Sequence, residues 1–137
     1  MEISKGLVIT DPWIDLVLDG SKTWEMRTTR TSHRGWVALI RSGSGTVVGV
    51  VQIVDCGNPI TKKSEWLATC KFHHGSPEAI RSNPLSRWNV PWHLENARRL
   101  RHPVPYKHKR GAVSWVLLEQ SVIDAIKAQL PRKAPFI

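Results

Sequence analysis

The sequence predicts an α+β fold: a small mixed or barrel-like sheet of five to six strands with short flanking helices. Three observations carry this. Segments of β-branched residues recur along the chain, the longest holding Val47, Val48, Val50, Val51, Ile53 and Val54. Short stretches with helical spacing, two of them opened by a proline, fall in the crossings between these segments. The length, 137 residues, suits one domain that buries about two-thirds of its unfolded surface around one core.

Gly6-Leu7-Val8-Ile9-Thr10 is a short apolar run and reads as the first strand. Thr10 or Asp11 offers a helix N-cap, with Pro12 at the first helical position, where its missing N–H costs nothing. From Pro12 to Asp19, Trp13, Leu16 and Val17, with Ile14 and Leu18, fall at helical spacing. Gly20 ends this helix by taking the left-handed turn without a Cβ clash. Thr23 to Arg27 reads as a second strand, with Trp24 and Met26 facing the core and Glu25 and Arg27 the other side. A polar, basic loop from Thr28 to Arg34 leads to a third strand, Trp36 to Arg41, and a turn over Ser42 to Gly45. Thr46 to Asp55 is a fourth strand, apolar enough to be buried on both faces.

Lys62 to Cys70 reads as helix, and Ser76-Pro77-Glu78 opens a further short one. Pro84 to Pro91 is loop, and Trp92 to Arg101 fits helix or strand by periodicity. Ala112 to Glu119 is a strand through Val113, Trp115, Val116 and Leu117. Ser121 caps a last amphipathic helix through Leu130, with Val122, Ile123, Ile126 and Leu130 on one stripe. Residues 1–130 thus read as one domain without repeat or linker, and residues 131–137 as a basic, proline-containing tail.

Composition narrows the class. Hydrophobic residues make up 41 % of the chain and charged residues 23 %, ordinary for a globular protein. No stretch approaches the roughly 18 apolar residues of a membrane span, and the N-terminus lacks the apolar segment of a secretory signal. Cys56 and Cys70 make no disulfide framework, so a reduced, cytoplasmic protein is expected. Twenty Lys and Arg against 11 acids give a formal charge of +9, which suits a polyanionic partner. A solvated basic surface would give the same total, but the positions favour contact. Six cations and no acid lie between Asn96 and Leu118: Arg98, Arg99, Arg101, Lys107, Lys109 and Arg110. Tyr106, His102 and His108 are interleaved among them, a mixture suited to phosphate tracking and base stacking.

One segment points to chemistry. In Gly20-Ser21-Lys22-Thr23-Trp24-Glu25-Met26-Arg27, strand alternation sets the Glu25 carboxylate beside the Arg27 guanidinium, with the Lys22 ammonium near enough to meet Glu25. Three charges converging at a helix–strand junction make a site in which neighbours and burial shift pKa values. A structural arrangement fits equally: Lys22 on the helix-end carbonyls, and Glu25–Arg27 as a surface couple.

Here the chain resembles a family, the ASCH (activating-signal-cointegrator homology) domains of the PUA-like β-barrel superfamily. Asp11 to Arg27 looks like the family's opening, a Pro-Trp helix ending in Gly-x-Lys-x-x-Glu-x-Arg. His33-Arg34-Gly35, Val48 to Cys56, Trp92 to Leu100, and Pro103 to Tyr106 with Gly111 resemble its later elements in the same order. The match runs from about Gly6 to Leu118, and it places a strand at Trp92 to Arg101. The resemblance implies a PUA-like barrel with a cleft beside the Gly-x-Lys turn, used on RNA or modified nucleosides. Some members are similar to amidohydrolases of 4-acetylcytidine, which implies Lys22 and Glu25 as catalytic, with a downstream glutamate for which Glu78 is the candidate by position. Those enzymes often carry threonine where Glu25 stands, so no hydroxyl nucleophile is found at that spot. Other members are similar to metal-independent ribonucleases, in which a serine near Ser114 is implicated, or simply bind nucleic acid. Arg27 completes the catalytic set as the stabiliser of developing negative charge.

Trp13, beside the Lys22 turn, and the loop residues His33 and Arg34 are expected to contact nucleic acid, as are Arg98, Arg99, Arg101, Tyr106, Lys107, Lys109 and Arg110. Trp88 or Trp92 suits a cleft, whereas Trp24, Trp36 and Trp115 sit in strand patterns and read as core. Cys70, His73 and His74 fall short of the four paired ligands of a structural zinc, so no metal is expected. No phosphate-cradling glycine loop or Ser-His-Asp order is present, and no cofactor is expected.

Overall fold

The computed structural model describes residues 1–131, so the tail beyond Pro131 lies outside the described residues. In chain order the elements are β1 (Lys5–Ile9), α1 (Trp13–Leu18), β2 (Trp24–Arg27), β3 (Gly35–Arg41) and β4 (Thr46–Cys56). There follow α2 (Lys63–Ala68), α3 (Cys70–His73), α4 (Pro77–Ser82), β5 (Val90–Pro105), β6 (Trp115–Leu117) and α5 (Gln120–Gln129). The strands form one six-stranded sheet in the order β2-β5-β4-β3-β1-β6. Among the described residues only β1 and β3 run parallel; the α1–β2 excursion supplies the crossover that a parallel pair needs. The result is the expected α+β fold: among the described residues, a six-stranded sheet curled into a half-barrel with five short helices.

The β-branched β4 is buried on both faces, as its sequence requires. Val51 and Ile53 join Leu7, Leu39, Ile14 and Val17 on the α1 side. Val47 and Val50 join Ile40, Leu100, Val122, Ile123 and Ile126 on the α5 side. The curl comes from β5, sixteen residues long, whose register against β4 slips at three places. One extra residue on a strand bends it and strengthens its twist; Asn96, with φ of 57°, sits in this irregular stretch. At Gly49 a side chain has no room. A Cβ there would stand 2.6 Å from the Arg98 carbonyl oxygen and against a Leu18 methyl, so glycine lets β4, β5 and α1 approach.

Several boundaries differ from expectation for physical reasons. Pro12 is the N-cap of α1, not its first residue, and neither Thr10 nor Asp11 caps it through a side chain. The Asp11 carboxylate instead pairs with Arg41 on β3. The expected helix over 62–70 breaks at Thr69, whose hydroxyl takes the Glu65 carbonyl at 2.8 Å and competes with the helical ladder. α4 is capped as expected, Ser76 accepting from the Ala79 N–H with Pro77 next. α5 begins at Gln120 without a Ser121 cap and is held by its buried stripe. The expected strand over 112–119 shrinks to three residues at the sheet edge, and Val113 and Leu117 are exposed.

Candidate active site

A cavity of about 690 Å³ opens between β2, the end of β1 and the α2–α4 excursion. Its charged wall begins at the turn after α1. Gly20, with φ of 84°, takes the left-handed turn that the sequence assigned to it. The Lys22 N–H then donates to the Leu16 carbonyl at 2.9 Å, and the side chain runs inward until only 3 % is exposed. Lys22 Nζ donates to the carbonyls of Trp24 at 2.5 Å and His73 at 2.9 Å, and lies 5.2 Å from the Trp13 ring centroid. Burial pushes the Lys22 pKa down to about 8, against the opposing pull of the Glu25 charge.

On β2 the alternation is as expected, but the faces carry different burial. Glu25 and Arg27 point inward and are buried, whereas Trp24 and Met26 are half-buried, Met26 still bordering the cavity and Trp24 not. The inner side of a curled sheet edge is where the cleft lies, so the charged face is the enclosed one. Trp24 is covered by α3 and β5, stacking on Phe72 at 4.7 Å and His93 at 4.9 Å. Arg27 Nη2 donates to Glu25 Oε2 at 3.0 Å and to the Val8 carbonyl at 2.8 Å. Its Nη1 reaches Ser114 Oγ at 3.4 Å, so Arg27 ties β2 to β1 and the approach to β6, two edges that share no ladder. The pair is therefore no surface couple. Nor do Lys22 and Glu25 form an ion pair among the described residues: the Lys22 amine is taken by carbonyls. Glu25 uses only Oε2 on Arg27, leaving Oε1 free of protein partners among the described residues.

The ASCH domain sequence profile matches residues 7–104, well over half of the chain. The chain belongs to the ASCH domain family. Solved structures agree in fold: an ASCH protein from Zymomonas mobilis is similar at TM-score 0.69 and 11 % identity, covering 90 % of this chain and 93 % of that one. A tyrosine-to-phenylalanine variant of the same protein gives 0.67 at 10 % identity, covering 93 % and 98 %. A search of curated proteins finds no match. Membership supports an RNA-associated domain in general terms.

Within this ASCH domain the remaining residues fall into separate places. Trp13 lines the cleft with Lys22, Glu25 and Arg27, as do Trp88 and Ser114. Trp92 lies behind Arg27, its centroid 5.7 Å from the guanidinium, with Nε1 donating to the Thr29 carbonyl at 2.9 Å. Glu78 is exposed on α4 and does not join the cleft, although Ala79 and Ile80 line it. His33 and Arg34 border a smaller cavity of about 260 Å³ with Glu2 and Trp36. Trp36 and Trp115, expected in the core, are half-buried.

The basic stretch does not reach the cleft either, and strand alternation divides it. Arg98 lies 5.9 Å over the Trp36 ring on the α5 side. Arg99 bonds Asp15 of α1 on the opposite face, at 3.2 Å. Arg101, Lys107, Lys109 and Arg110 are exposed, and Tyr106 is half-buried with its hydroxyl 2.6 Å from His108 Nδ1.

Two wall residues, Trp66 and His73, carried no signal of this place in the sequence. His73 is buried; its Nδ1 accepts from the Gly75 N–H and its Nε2 bonds the Trp66 carbonyl at 2.8 Å. Both nitrogens are thus occupied, and burial lowers the pKa of the ring. His74 bonds the Ser21 carbonyl, so Cys70, His73 and His74 do not converge. Among the described residues no group of His, Cys, Asp and Glu is placed to hold a metal ion, and no helix is long and apolar enough to cross a membrane.

The Lys22 environment has a measurable consequence for stability. Its folded pKa, about 8, lies below the ordinary 10.5, so between those values the unfolded chain holds the proton that the folded chain has released. Stability then rises with pH across this window, by up to roughly 3 kcal/mol for this group. Denaturant melts at pH 8 and above pH 10 should show wild type gaining on Lys22→Met by that order. A constant difference between them would mean that Lys22 is hydrated.

Proposed function

We propose that this domain is a small hydrolase of modified nucleosides, of the 4-acetylcytidine amidohydrolase type, with Lys22 as general base. The observation that carries this is the setting of Lys22 Nζ. An ammonium has three donors, and two are committed to the Trp24 and His73 carbonyls. The third position alone is left for the cleft. With a pKa of about 8, a useful fraction of molecules presents a lone pair there near neutral pH. In the reaction, Lys22 takes a proton from water as the oxygen adds to the acetyl carbonyl. The C–N bond then breaks, acetate forms, and the exocyclic nitrogen leaves with the proton. Glu25, held by Arg27, offers its free Oε1 to orient the water or the amide N–H. Arg27 is engaged by Glu25, Val8 and Ser114, so it positions Glu25 rather than meeting developing charge on the substrate.

The size and charge of the cleft support a nucleoside over a polynucleotide. About 690 Å³ lies within the roughly 300–1,000 Å³ of small-ligand sites. Both cations in its wall are engaged by protein atoms, and none of the six between Arg98 and Arg110 lines it. Ribonuclease chemistry would bring phosphates to a cleft whose two cations are largely taken by protein atoms, with a single Lys22 position left over. The test is an assay against 4-acetylcytidine and against short single-stranded RNA. Release of acetate should rise with pH through about 8 and vanish in Lys22→Ala. Turnover of RNA alone would overturn the reading.

A second reading, RNA binding without catalysis, is favoured by the exposed cations beyond β5. If Lys107 and Lys109 track phosphates, log affinity should fall linearly with log salt. The double change Lys107→Gln with Lys109→Gln should then shallow the slope by about 1–2 units. An unchanged slope would exclude this loop from the RNA surface.

A further inference from the structure

Above the charged wall, the α2–α4 excursion holds a polar group with no partner. Trp66 on α2 is 7 % exposed and lines the cleft. Among the described residues, its Nε1 is the one buried side-chain nitrogen or oxygen without a hydrogen bond. Three neighbouring buried groups are paired. Lys22 has its two carbonyls, His73 has partners on both nitrogens, and Trp92 Nε1 has the Thr29 carbonyl. An indole nitrogen donates and never accepts. Leaving a buried donor unmet costs about 1–3 kcal/mol, so an orphan at a cavity wall marks an acceptor that arrives from outside the chain.

The surroundings narrow the kind of acceptor. The Trp66 backbone is anchored, since its carbonyl takes the His73 Nε2–H, and the His73 ring packs edge-on at 4.8 Å. The His73 carbonyl in turn holds Lys22 Nζ at 2.9 Å. The residues that carry the orphan donor, the lysine amine and the free carboxylate oxygen, Trp66, Lys22 and Glu25, thus line one cavity. A ligand that answers both Glu25 and Trp66 carries an N–H for the one and a carbonyl oxygen for the other on one planar frame. We propose that Trp66 is a specificity donor, its indole N–H met by the ring carbonyl oxygen of a cytosine-type base. This rests on the nucleoside reading above. Nε1 is closed off from solvent in this conformation, so the indole turns about its side-chain torsions, or α2 shifts, as the acceptor arrives.

The test follows the tryptophan indole N–H resonances of ¹⁵N-labelled protein during titration with cytidine, with Trp66→Phe assigning the Trp66 signal. The Trp66 resonance should move and its hydrogen exchange should slow. Trp66→Phe should bind cytidine about tenfold more weakly, a typical return for one buried hydrogen bond, without a lower melting temperature. Suppose the Trp13 or Trp88 signal moves while Trp66 stays still, and Trp66→Phe binds within about twofold of wild type. The donor role is then overturned and the nucleoside reading stands. If no cleft tryptophan responds to cytidine, the nucleoside reading falls, and the donor role falls with it.

Discussion

Lys22→Arg should lose at least about 10²-fold in kcat on 4-acetylcytidine, although it keeps a positive charge at the same place. A guanidinium stays protonated at working pH and cannot take a proton from water. Nor can its planar fork reproduce a tetrahedral amine held between the carbonyls of Trp24 and His73. The control is a denaturant melt showing the variant folded. The companion measurement is the pH profile, which for wild type should rise through about 8 with a slope of one proton. Arginine supporting wild-type turnover would leave Lys22 as a fixed charge and the cleft without its base.

The second large effect concerns the scaffold. Arg27→Leu should destabilise the fold by about 3–5 kcal/mol, because it leaves the buried Glu25 carboxylate without its cation. It also removes the bonds to Val8 and Ser114 that join β2 to the opposite side of the half-barrel. The double change Arg27→Leu with Glu25→Leu should recover much of that loss, since an apolar pair carries no unpaired charge. Urea melts of the two variants and wild type give both numbers. A single-variant cost below about 1 kcal/mol would mean that water reaches Glu25 and the pair acts as a surface bridge.

Much of this was legible in the chain because it is local. Gly20 after an apolar helix, the β-branched content of β4 and the alternation of β2 each follow from backbone geometry over a few residues. What alternation does not give is which face is enclosed. Apolar Trp24 and Met26 were expected inside, but β2 is an edge strand of a curled sheet whose hollow side holds the cleft. The excursion over 60–89 was harder still. Its helices are short, Thr69 breaks the apolar spacing, and its return over Lys22 depends on a bond spanning 51 residues. Trp66 and His73 therefore carried no signal of their place, and Glu78 was drawn to the site only by position in the chain.

The division of β5 sets a ceiling on how much RNA the domain can hold at once. Six adjacent cations suggest six phosphate contacts, which on a single strand would give a salt slope near 4, at about 0.7 per contact. Arg98 over Trp36 and Arg99 on Asp15 look out from opposite sides of the sheet, and Arg99 already has a carboxylate to neutralise it. A strand lying along one surface displaces counterions from only part of the set. The slope should therefore fall well short of that figure, and the footprint should be a few nucleotides, short enough for a dinucleotide or trinucleotide to compete with longer RNA at nearly the same strength.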